Sequence, residues 1–337
     1  MRAVVFHQIG QWSIEDVPDP TPAPNEVVVQ TKACGLCGTD LHLLKGEYNP
    51  QYPVTPGHEY AGVVVEVGRA VRSIRPGDRV AIDPNAFCGA CRYCRMAKPN
   101  FCENWFGYGV VRPGGFGEMS AVIENNVIPL PEGLSFERAA MVEPVSCCLH
   151  GIDLAGIRPG DKVVVIGAGG IGQILAQLAR CAGAAMVIVS DPIGAKRDLA
   201  ASLGADLVVN PATQDITDAA LSATGIGADV VLEAGGTRSS VLDALGVARK
   251  GGTVMWFSVC DSDLEVPVRP YDLFLREVTI RTSLTNPFTC SRALDILASG
   301  RVEIGPLITH RFVLDEFGEC MASMREGRSI KAQVQYA

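Results

Sequence analysis

The pattern of hydrophobic and polar positions divides the chain near residue 160. Before that point, short alternating or β-branched segments lie between turns rich in Gly and Pro. Short strands separated in this way are typical of a compact, mostly β domain. Strands are predicted at residues 3–6, 26–32, within 54–67 and at 78–82, and helical spacing predicts one linking helix over 136–154.

From residue 161 onward, the pattern alternates between strands and helices. The predicted strands are residues 163–167, 186–190, 207–209, 229–233 and 253–259. This alternation implies an α/β fold with a doubly wound parallel sheet and right-handed crossovers. After about residue 284 the alternation stops, and one helix and two strands are predicted, at 291–299, 307–312 and 331–335.

A glycine motif follows the first strand of this second part. Gly167, Gly169 and Gly172 form the pattern G-x-G-x-x-G where a helix should begin. Gly167 permits a tight turn, Gly169 leaves room for a pyrophosphate, and Gly172 lets helix and strand pack closely. The N–H groups at the start of the helix attract phosphates. The predicted cofactor-binding residues of this turn are Gly167, Gly169, Gly170, Ile171 and Gly172.

The next strand ends at Asp191, which extends the motif. Asp191 lies 191 − 172 = 19 positions after the last glycine, close to the roughly 20 expected for a carboxylate that binds a ribose diol. Its charge would repel a 2′-phosphate, so we expect NAD as the cofactor. Lys196 and Arg197 follow shortly after. Either these residues weaken the preference for NAD, with Arg197 at the cofactor, or they are solvated residues of the next helix.

Composition narrows the classes of function. The 337 residues are 47% hydrophobic and 20% charged, a globular composition with enough length for about two domains. The net charge of −8 argues against nucleic acid or an anionic membrane as a partner. The apolar run at the N-terminus is too short for a signal peptide, and no stretch predicts a membrane span. We therefore expect a cytoplasmic protein whose 12 cysteines are thiols or metal ligands and do not form disulfides.

A first candidate metal site combines Cys37, His58, Glu59 and Glu143. A thiolate, an imidazole and a carboxylate can bind zinc tetrahedrally and leave one position for water or substrate. These residues lie in separate segments, so their spacing alone does not establish a site. The alternative is that Cys37 is a small buried residue and Glu143 an ordinary acid at the start of a helix.

A second candidate site is more closely spaced and combines Cys88, Cys91, Cys94 and Cys102. The pattern C-x-x-C-x-x-C with a fourth Cys eight positions later is typical of a closed tetrahedral thiolate site. The loop contains Gly, Arg and Lys but little that could form a core, so a structural zinc would stabilise it. An iron–sulfur cluster is the alternative, because the spacing is similar to part of a ferredoxin motif, but the usual following proline is missing.

Together these motifs resemble those of the zinc-dependent medium-chain dehydrogenases/reductases. The resemblance covers essentially the whole chain, in the order CGLCGTDLH, TPGHEYAGVV, PGDRV, the four-cysteine loop, MVEP, GAGGIG and SDP. It implies a GroES-like catalytic domain over residues 1–152 and 285–337, with a structural-zinc lobe at about 86–104. It also implies a Rossmann NAD-binding domain over 153–284. Glu143-Pro144 is similar to the sorbitol (polyol) and threonine dehydrogenase branches.

The resemblance also implies roles for individual residues. Glu59 is expected to bind a catalytic zinc directly or through water, and Glu143 to enter or leave the ligand set. Asp40 matches the acid that orients the zinc-bound imidazole. Thr39 and His42 match a proton relay from the catalytic centre toward solvent. The residues that match the catalytic-zinc set are Cys37, His58, Glu59 and Glu143.

The implied reaction is hydride transfer from a secondary alcohol, a sugar alcohol or other polyol, to NAD, which gives a ketone. The implied cofactors are NAD and two zinc ions per chain, one catalytic and one structural. Leu43 and Thr285 stand where sorbitol enzymes usually carry Tyr and Arg. Both departures remove hydrogen-bonding groups for polyol hydroxyls, which makes sorbitol itself a doubtful substrate. Asn286 and Phe116 either line the substrate pocket or have structural roles.

The sequence leaves other functions and the oligomeric state open. The enzyme alternatives are L-threonine 3-dehydrogenase and a vicinal-diol (2,3-butanediol-type) dehydrogenase. A non-catalytic nucleotide- and zinc-binding sensor is the third alternative, and it would be expected to lack Cys37 or His58. The resemblance implies a homo-oligomer, a tetramer or a dimer. Its expected dimer edge is strand 253–259 with the apolar segment 264–268, unless a loop covers that edge.

Overall fold

The computed structural model describes residues 1–48 and 50–337. These residues form two compact units. The first unit comprises Met1–Ser146, Thr285–Ser299 and Ile304–Ala337, and the second comprises Cys147–Leu284 and Gly300–Glu303. No helix in the described part of the chain is both long enough and apolar enough to span a lipid bilayer.

Strands dominate the first unit, whereas strands and helices alternate in the second. The strands are β1 (Arg2–Gln8), β2 (Gln11–Asp16), β3 (Glu26–Gly35), β4 (Glu59–Val67), β5 (Arg79–Ile82), β6 (Asn85–Ala86), β7 (Phe106–Gly107), β8 (Met119–Ile123), β9 (Val127–Pro129), β10 (Lys162–Ile166), β11 (Met186–Ser190), β12 (Leu207–Val209), β13 (Ala228–Glu233), β14 (Ala248–Trp256), β15 (Thr279–Thr282), β16 (Ile308–Phe312) and β17 (Lys331–Gln335). The helices are α1 (Gly38–Leu44), α2 (Arg92–Arg95), α3 (Phe136–Ala139), α4 (Val142–Ala155), α5 (Gly170–Cys181), α6 (Gly194–Ser202), α7 (Ile216–Thr224), α8 (Arg238–Val247), α9 (Pro270–Arg276), α10 (Cys290–Ala298) and α11 (Phe317–Arg325).

The second unit is built on a six-stranded parallel sheet in the order β12-β11-β10-β13-β14-β15. The predicted α/β fold with a parallel doubly wound sheet is therefore confirmed. Val163, Val164 and Val165 of β10 are fully buried, as expected for a central strand of a parallel sheet. The strand order reverses between β10 and β13. In open α/β sheets, nucleotides bind at the carboxyl ends of the strands at such a point.

The first unit contains a seven-stranded sheet with the path β16-β17-β3-β4-β5-β9, and β8 also pairs with β3. The pairs are antiparallel except β16 with β17. Gly35 of β3 lies opposite Glu59 of β4 and also opposite Gln333 of β17. This register brings the start of β4 close to the start of the C-terminal strand.

The helix predicted over residues 136–154 is divided into α3 and α4, so the prediction of a single helix was wrong. Pro144 has no N–H group to bond the carbonyl of Ala140, four residues earlier, and a continuous helix cannot form there. In the first turn of α4 the missing N–H group costs little, because such groups have no partner within the helix.

The strand predicted over 253–259 is β14, which ends at Trp256. It pairs with β13 on one side and β15 on the other. Its backbone groups are therefore used within the sheet, and the expectation that this strand forms a dimer edge was wrong. Within the described residues, the strands at the two edges of this sheet are β12 and β15.

Candidate functional site

Three of the predicted catalytic-zinc residues lie together in the first unit. The donor atoms of Cys37, His58 and Glu59 are all within 4.8 Å of one another. Cys37 immediately precedes α1, and Glu59 is the first residue of β4. His58 and Glu59 are 7% and 1% exposed. A thiol, an imidazole and a carboxylate that face one point fit a zinc ion with a position left for substrate.

Asp40 connects the two loops that supply Cys37 and His58. It is fully buried, and its Oδ2 accepts a hydrogen bond from the N–H of Cys37 at 2.9 Å. Its Oδ1 accepts one from the N–H of Gly57 at 3.2 Å and lies 3.7 Å from Nδ1 of His58. Burial alone would lower the pKa of His58, but the charges of Cys37 and Asp40 raise it well above its usual value. These contacts agree with an orienting role for Asp40.

The two residues of the expected proton relay lie on the first helix. Thr39 Oγ1 is 3.6 Å from Sγ of Cys37. His42 is paired through Nδ1 with the carboxylate of Glu47, and its side chain is largely buried. Glu47 was not identified from the sequence, although its position five residues after His42 places it within reach of that imidazole.

The site also contains a lysine that sequence reasoning missed. Lys331, the first residue of β17, forms an ion pair with Glu59, and both side chains are buried. Gly35 makes room for the pair, because a Cβ atom there would lie 2.2 Å from Oε2 of Glu59. Burial opposes the charge on Lys331, but Glu59 and then Cys37 raise its pKa above the usual value. No local motif marks Lys331, since its partner comes from a distant part of the chain.

Glu143 occupies a different place from the other three predicted ligands. It is buried in the first turn of α4. Among the described residues, however, it does not belong to the group of donor atoms around Cys37. Its charge nevertheless contributes to the raised pKa of Lys331, after burial and the charges of Glu59 and Cys37. A direct metal contact of Glu143 stays a prediction.

We expect Lys331→Met to lower the free energy of unfolding by about 3 kcal/mol, because removing one partner of a buried ion pair leaves an uncompensated charge on Glu59. Urea denaturation of chelator-treated protein measures this, since a bound metal ion would itself compensate Glu59. Lys250→Met is the control, because Lys250 is exposed and should change stability by no more than about 0.5 kcal/mol. Equal losses in the two variants would contradict the structural importance of the ion pair.

The four cysteines of the second predicted site also converge. Their Sγ atoms are separated by 3.5 Å between Cys91 and Cys94, 3.9 Å between Cys91 and Cys102, and 3.6 Å between Cys88 and Cys102. Four sulfurs about 2.3 Å from a zinc ion form a tetrahedron with edges of about 3.8 Å. The cysteines therefore fit one tetrahedral metal ion. Sulfurs around a polynuclear iron–sulfur cluster lie farther apart, because the cluster fills the space between them.

Backbone N–H groups prepare this loop to hold thiolates. The N–H groups of Ala90 and Cys91 lie 3.5 and 3.3 Å from Sγ of Cys88. The N–H of Asn104 lies 3.3 Å from Sγ of Cys102. The first two hydrogen bonds lower the pKa of Cys88 to about 6. Because the thiolate is the form that binds metal, these hydrogen bonds favour metal binding at Cys88.

The glycine turn of the second unit has the shape expected for a phosphate cradle. Gly167 has a φ of +96°, which favours glycine. A Cβ atom on Gly172 would lie 1.8 Å from the carbonyl oxygen of Gly167, so close packing requires glycine there. Around Gly169, in contrast, nothing lies within 4 Å of such an atom. That space, beside the first N–H groups of α5 at Gly170 and Ile171, fits a pyrophosphate.

Asp191 directly follows β11 and is bonded to the glycine turn. Its Oδ2 accepts a hydrogen bond from the N–H of Ala168 at 2.8 Å, and its Oδ1 accepts one from Ile193 at 2.8 Å. Each oxygen keeps a second lone pair that a ribose hydroxyl can use. Nη1 of Arg197 donates to the backbone carbonyl of Asp191 at 2.6 Å. Both residues therefore lie beside the phosphate cradle.

The two candidates for lining a substrate pocket have structural roles. Phe116 is fully buried and packs against Phe317, with ring centroids 4.9 Å apart. Asn286 is 1% exposed, and its amide is bonded to Asn85 and Ser146. Leu43 is also fully buried, so its side chain contributes to the core of the first unit.

The chain matches two known families of domains. Residues 23–132 match the alcohol dehydrogenase GroES-like domain, and residues 170–299 match the zinc-binding dehydrogenase domain. The second match begins at Gly170, within the glycine turn. The first covers Cys37, His58 and Glu59 as well as the four-cysteine loop.

Whole-length relatives were found in sequence and in structure. The chain is 33% identical to D-arabinitol dehydrogenase 1 of Uromyces fabae, covering 99% of this chain and 97% of the relative. It is 32% identical to L-threonine 3-dehydrogenase of Rhizobium etli (strain CIAT 652), covering 98% and 97%. A crystal structure of a zinc-binding dehydrogenase from Sinorhizobium meliloti 1021 bound to NADP superimposes with a TM-score of 0.95, at 39% identity and 99% coverage of both chains.

Proposed function

Because the chain belongs to the zinc-dependent medium-chain dehydrogenases/reductases, we propose that it oxidises a secondary hydroxyl of a sugar alcohol or related polyol to a ketone, with NAD as hydride acceptor. The main supporting observation is the group formed by Cys37, His58 and Glu59, in which the histidine and the glutamate are buried. The similarity to D-arabinitol dehydrogenase 1 supports a polyol as the substrate class.

We assign the metal centres to two sets of residues in the first unit. The catalytic zinc would be held by Cys37, His58 and Glu59, with Glu143 as a further ligand. When bound, zinc supplies Lewis acidity that lowers the pKa of the substrate hydroxyl toward neutrality. Lys331 balances the charge of Glu59, and Asp40 keeps the two ligand loops in register. The structural zinc would be held by Cys88, Cys91, Cys94 and Cys102.

Thr39 and His42 provide the proposed path for the substrate proton. The hydroxyl of Thr39 accepts the proton from the alcohol and passes one on toward His42. Glu47 supports this path by position, because its carboxylate is paired with Nδ1 of His42 and holds the imidazole in place. NAD, when bound, would supply the nicotinamide as hydride acceptor, and the protein would supply position and electrostatics.

NAD is the proposed cofactor, bound by the second unit. The pyrophosphate is placed on the turn 167–172, where Gly169 leaves open space. Asp191 would accept hydrogen bonds from the adenosine ribose and repel a 2′-phosphate. The relative from Sinorhizobium meliloti is bound to NADP, and Arg197 lies close enough to Asp191 to favour a phosphate. A direct comparison of the two cofactors is therefore part of the test.

The test is to follow NADH absorbance of the purified protein with a panel of alcohols, and to measure its zinc content. The panel contains D-arabinitol, sorbitol, 2,3-butanediol and L-threonine, each with NAD and with NADP. We expect turnover with D-arabinitol or a similar polyol, and about two zinc ions per chain. Turnover on L-threonine alone would favour the second candidate, which the 32% identity to L-threonine 3-dehydrogenase supports. No turnover, with zinc only in the four-cysteine loop, would contradict the proposal.

We also propose that the protein is a cytoplasmic homo-oligomer that pairs through β15 and α9. Among the described strands, β15 pairs only with β14, which leaves one side available. The preceding helix α9 exposes Tyr271, Phe274 and Leu275 at 73%, 74% and 57%. An apolar helix beside an unpaired strand edge is suited to a second copy of the same surface.

Phe274→Glu is expected to shift the protein to a smaller assembly in sedimentation equilibrium, because a charge would have to be buried at the proposed contact. Leu221→Glu is the matched control, since Leu221 is an exposed apolar residue on α7. If Phe274→Glu keeps the mass of the unaltered protein, pairing through α9 is wrong.

A further inference from the structure

A continuous series of hydrogen bonds runs from the four-cysteine loop to α4. Nε1 of Trp105 donates to Oδ1 of Asn85 at 3.0 Å, and Nδ2 of Asn85 donates to Oδ1 of Asn286 at 2.6 Å. Nδ2 of Asn286 donates to Oγ of Ser146 at 2.8 Å. The hydroxyl of Ser146 donates to the backbone carbonyl of Glu143 at 2.6 Å.

The chemistry of the two ends fixes the direction of this series. An indole N–H can only donate, and a carbonyl oxygen can only accept. Turning over either amide, of Asn85 or of Asn286, would place two donors or two acceptors against each other. Asn286 and Ser146 are 1% and 0% exposed, so water cannot replace a lost partner. Breaking a link at Asn286 or Ser146 therefore leaves a buried hydrogen-bonding group with one partner fewer, which is costly.

One end of the series depends on the fourth cysteine of the loop. The backbone N–H of Trp105 donates to the carbonyl of Cys102 at 3.1 Å. The neighbouring N–H, of Asn104, points at Sγ of the same cysteine at 3.3 Å. A metal ion that holds Cys102 would therefore restrain the turn that places the indole of Trp105 against Asn85.

The other end holds the first turn of α4. Ser146 is bonded through its hydroxyl to Glu143, and its carbonyl accepts a hydrogen bond from Oγ1 of Thr289 at 2.8 Å. Glu143 lies in this turn and is 8% exposed, and its backbone carbonyl is the group that Ser146 holds. A shift of this turn therefore moves the carboxylate that we assign to the catalytic group.

We propose that Trp105, Asn85, Asn286 and Ser146 are positioning residues, which couple the metal-dependent order of the four-cysteine loop to the placement of Glu143. This proposal rests on the proposed function only in taking Glu143 as part of the catalytic centre. It gives the loop a role beyond local stability, because loss of its metal ion would loosen the catalytic group from a distance.

The test is a double-mutant cycle with Trp105→Phe and Ser146→Ala, each of which removes one hydrogen-bonding group of the series. Each variant is prepared with zinc in the four-cysteine loop and cobalt(II) at the group of Cys37. The visible absorption of the cobalt centre is recorded, together with the rate at which a chelator removes that cobalt. Trp256→Phe is the matched control, because its buried Nε1 has no hydrogen-bond partner among the described residues.

We expect both single variants to alter the cobalt spectrum and to accelerate cobalt loss by about tenfold, the effect typical of residues that support a metal ligand indirectly. The double variant should be no faster than Ser146→Ala alone, because either change interrupts the same series. The control should match the unaltered protein. Two results would overturn the inference. One is that the single variants have the same cobalt spectra and loss rates as the control. The other is that the two accelerations of cobalt loss multiply in the double variant.

The proposed function is judged separately, by turnover of the unaltered protein with alcohols and NAD. Coupling without any turnover would contradict the function and leave the inference standing. Turnover without coupling would overturn the inference alone.

Discussion

Cys37→Ser is expected to lower kcat/KM by about a thousandfold or more, equivalent to about 4 kcal/mol of transition-state stabilisation. A serine hydroxyl is a poor zinc ligand, so without the thiolate the catalytic metal would be held weakly by the remaining ligands. We expect the zinc content to fall from about two ions per chain to about one. NADH absorbance measures the activity, and elemental analysis of the same sample measures the zinc.

Cys181→Ser is the control for this experiment, because Cys181 is exposed and lies outside both cysteine groups. It should keep the activity and both zinc ions of the unaltered protein. Activity that survives in Cys37→Ser, with one zinc ion per chain, would show that the catalytic metal is not bound at Cys37. That result would also remove the main support for the proposed proton path through Thr39.

Alanine substitutions at Gly169 and Gly172 are expected to differ in their effects on cofactor binding and on thermal stability. Gly169→Ala should weaken NAD binding by about tenfold or more, a loss of about 1.4 kcal/mol, because its methyl group fills the space proposed for the pyrophosphate. The melting temperature should be unchanged, since nothing lies within 4 Å of that methyl group. Fluorescence titration with NADH and thermal unfolding measure the two effects.

Gly172→Ala should weaken NAD binding and also lower the melting temperature. Its methyl group would lie 1.8 Å from the carbonyl oxygen of Gly167, so helix and strand must move apart. Such overpacking costs about 1 to 3 kcal/mol of stability, and the displaced helix start should no longer hold the phosphates. If Gly169→Ala binds NADH as tightly as the unaltered protein does, the pyrophosphate is not bound beside Gly169.

Several features of the fold could be predicted because their signals are local. The strand β10, the glycine turn and Asp191 lie within one strand–helix–strand unit, and periodicity and turn chemistry describe such units well. Cys88, Cys91, Cys94 and Cys102 are close in the chain, so spacing alone predicted their convergence. The break between α3 and α4 was predictable in principle, because Pro144 is visible in the sequence.

Other features depend on contacts that a linear pattern does not contain. Periodicity identified β14 as a strand, but the position of a strand in a sheet depends on what pairs with each side, and β15 covers it. Asn286 was a candidate for a pocket or for a structural role. Only its burial and its bonds to Asn85 and Ser146 distinguish the two.

The catalytic group depends both on residue types that the sequence shows and on strand pairing that only the folded chain shows. The chemistry of Cys37, His58 and Glu59 can be read from residue types and from the resemblance of their surrounding motifs to known enzymes. Their distances, and the ion pair of Glu59 with Lys331, exist only because β17, β3 and β4 are neighbours in one sheet. Chain order encodes local geometry and donor chemistry, whereas strand pairing brings together side chains that are remote in the chain, so charge balance and burial follow from the folded sheet.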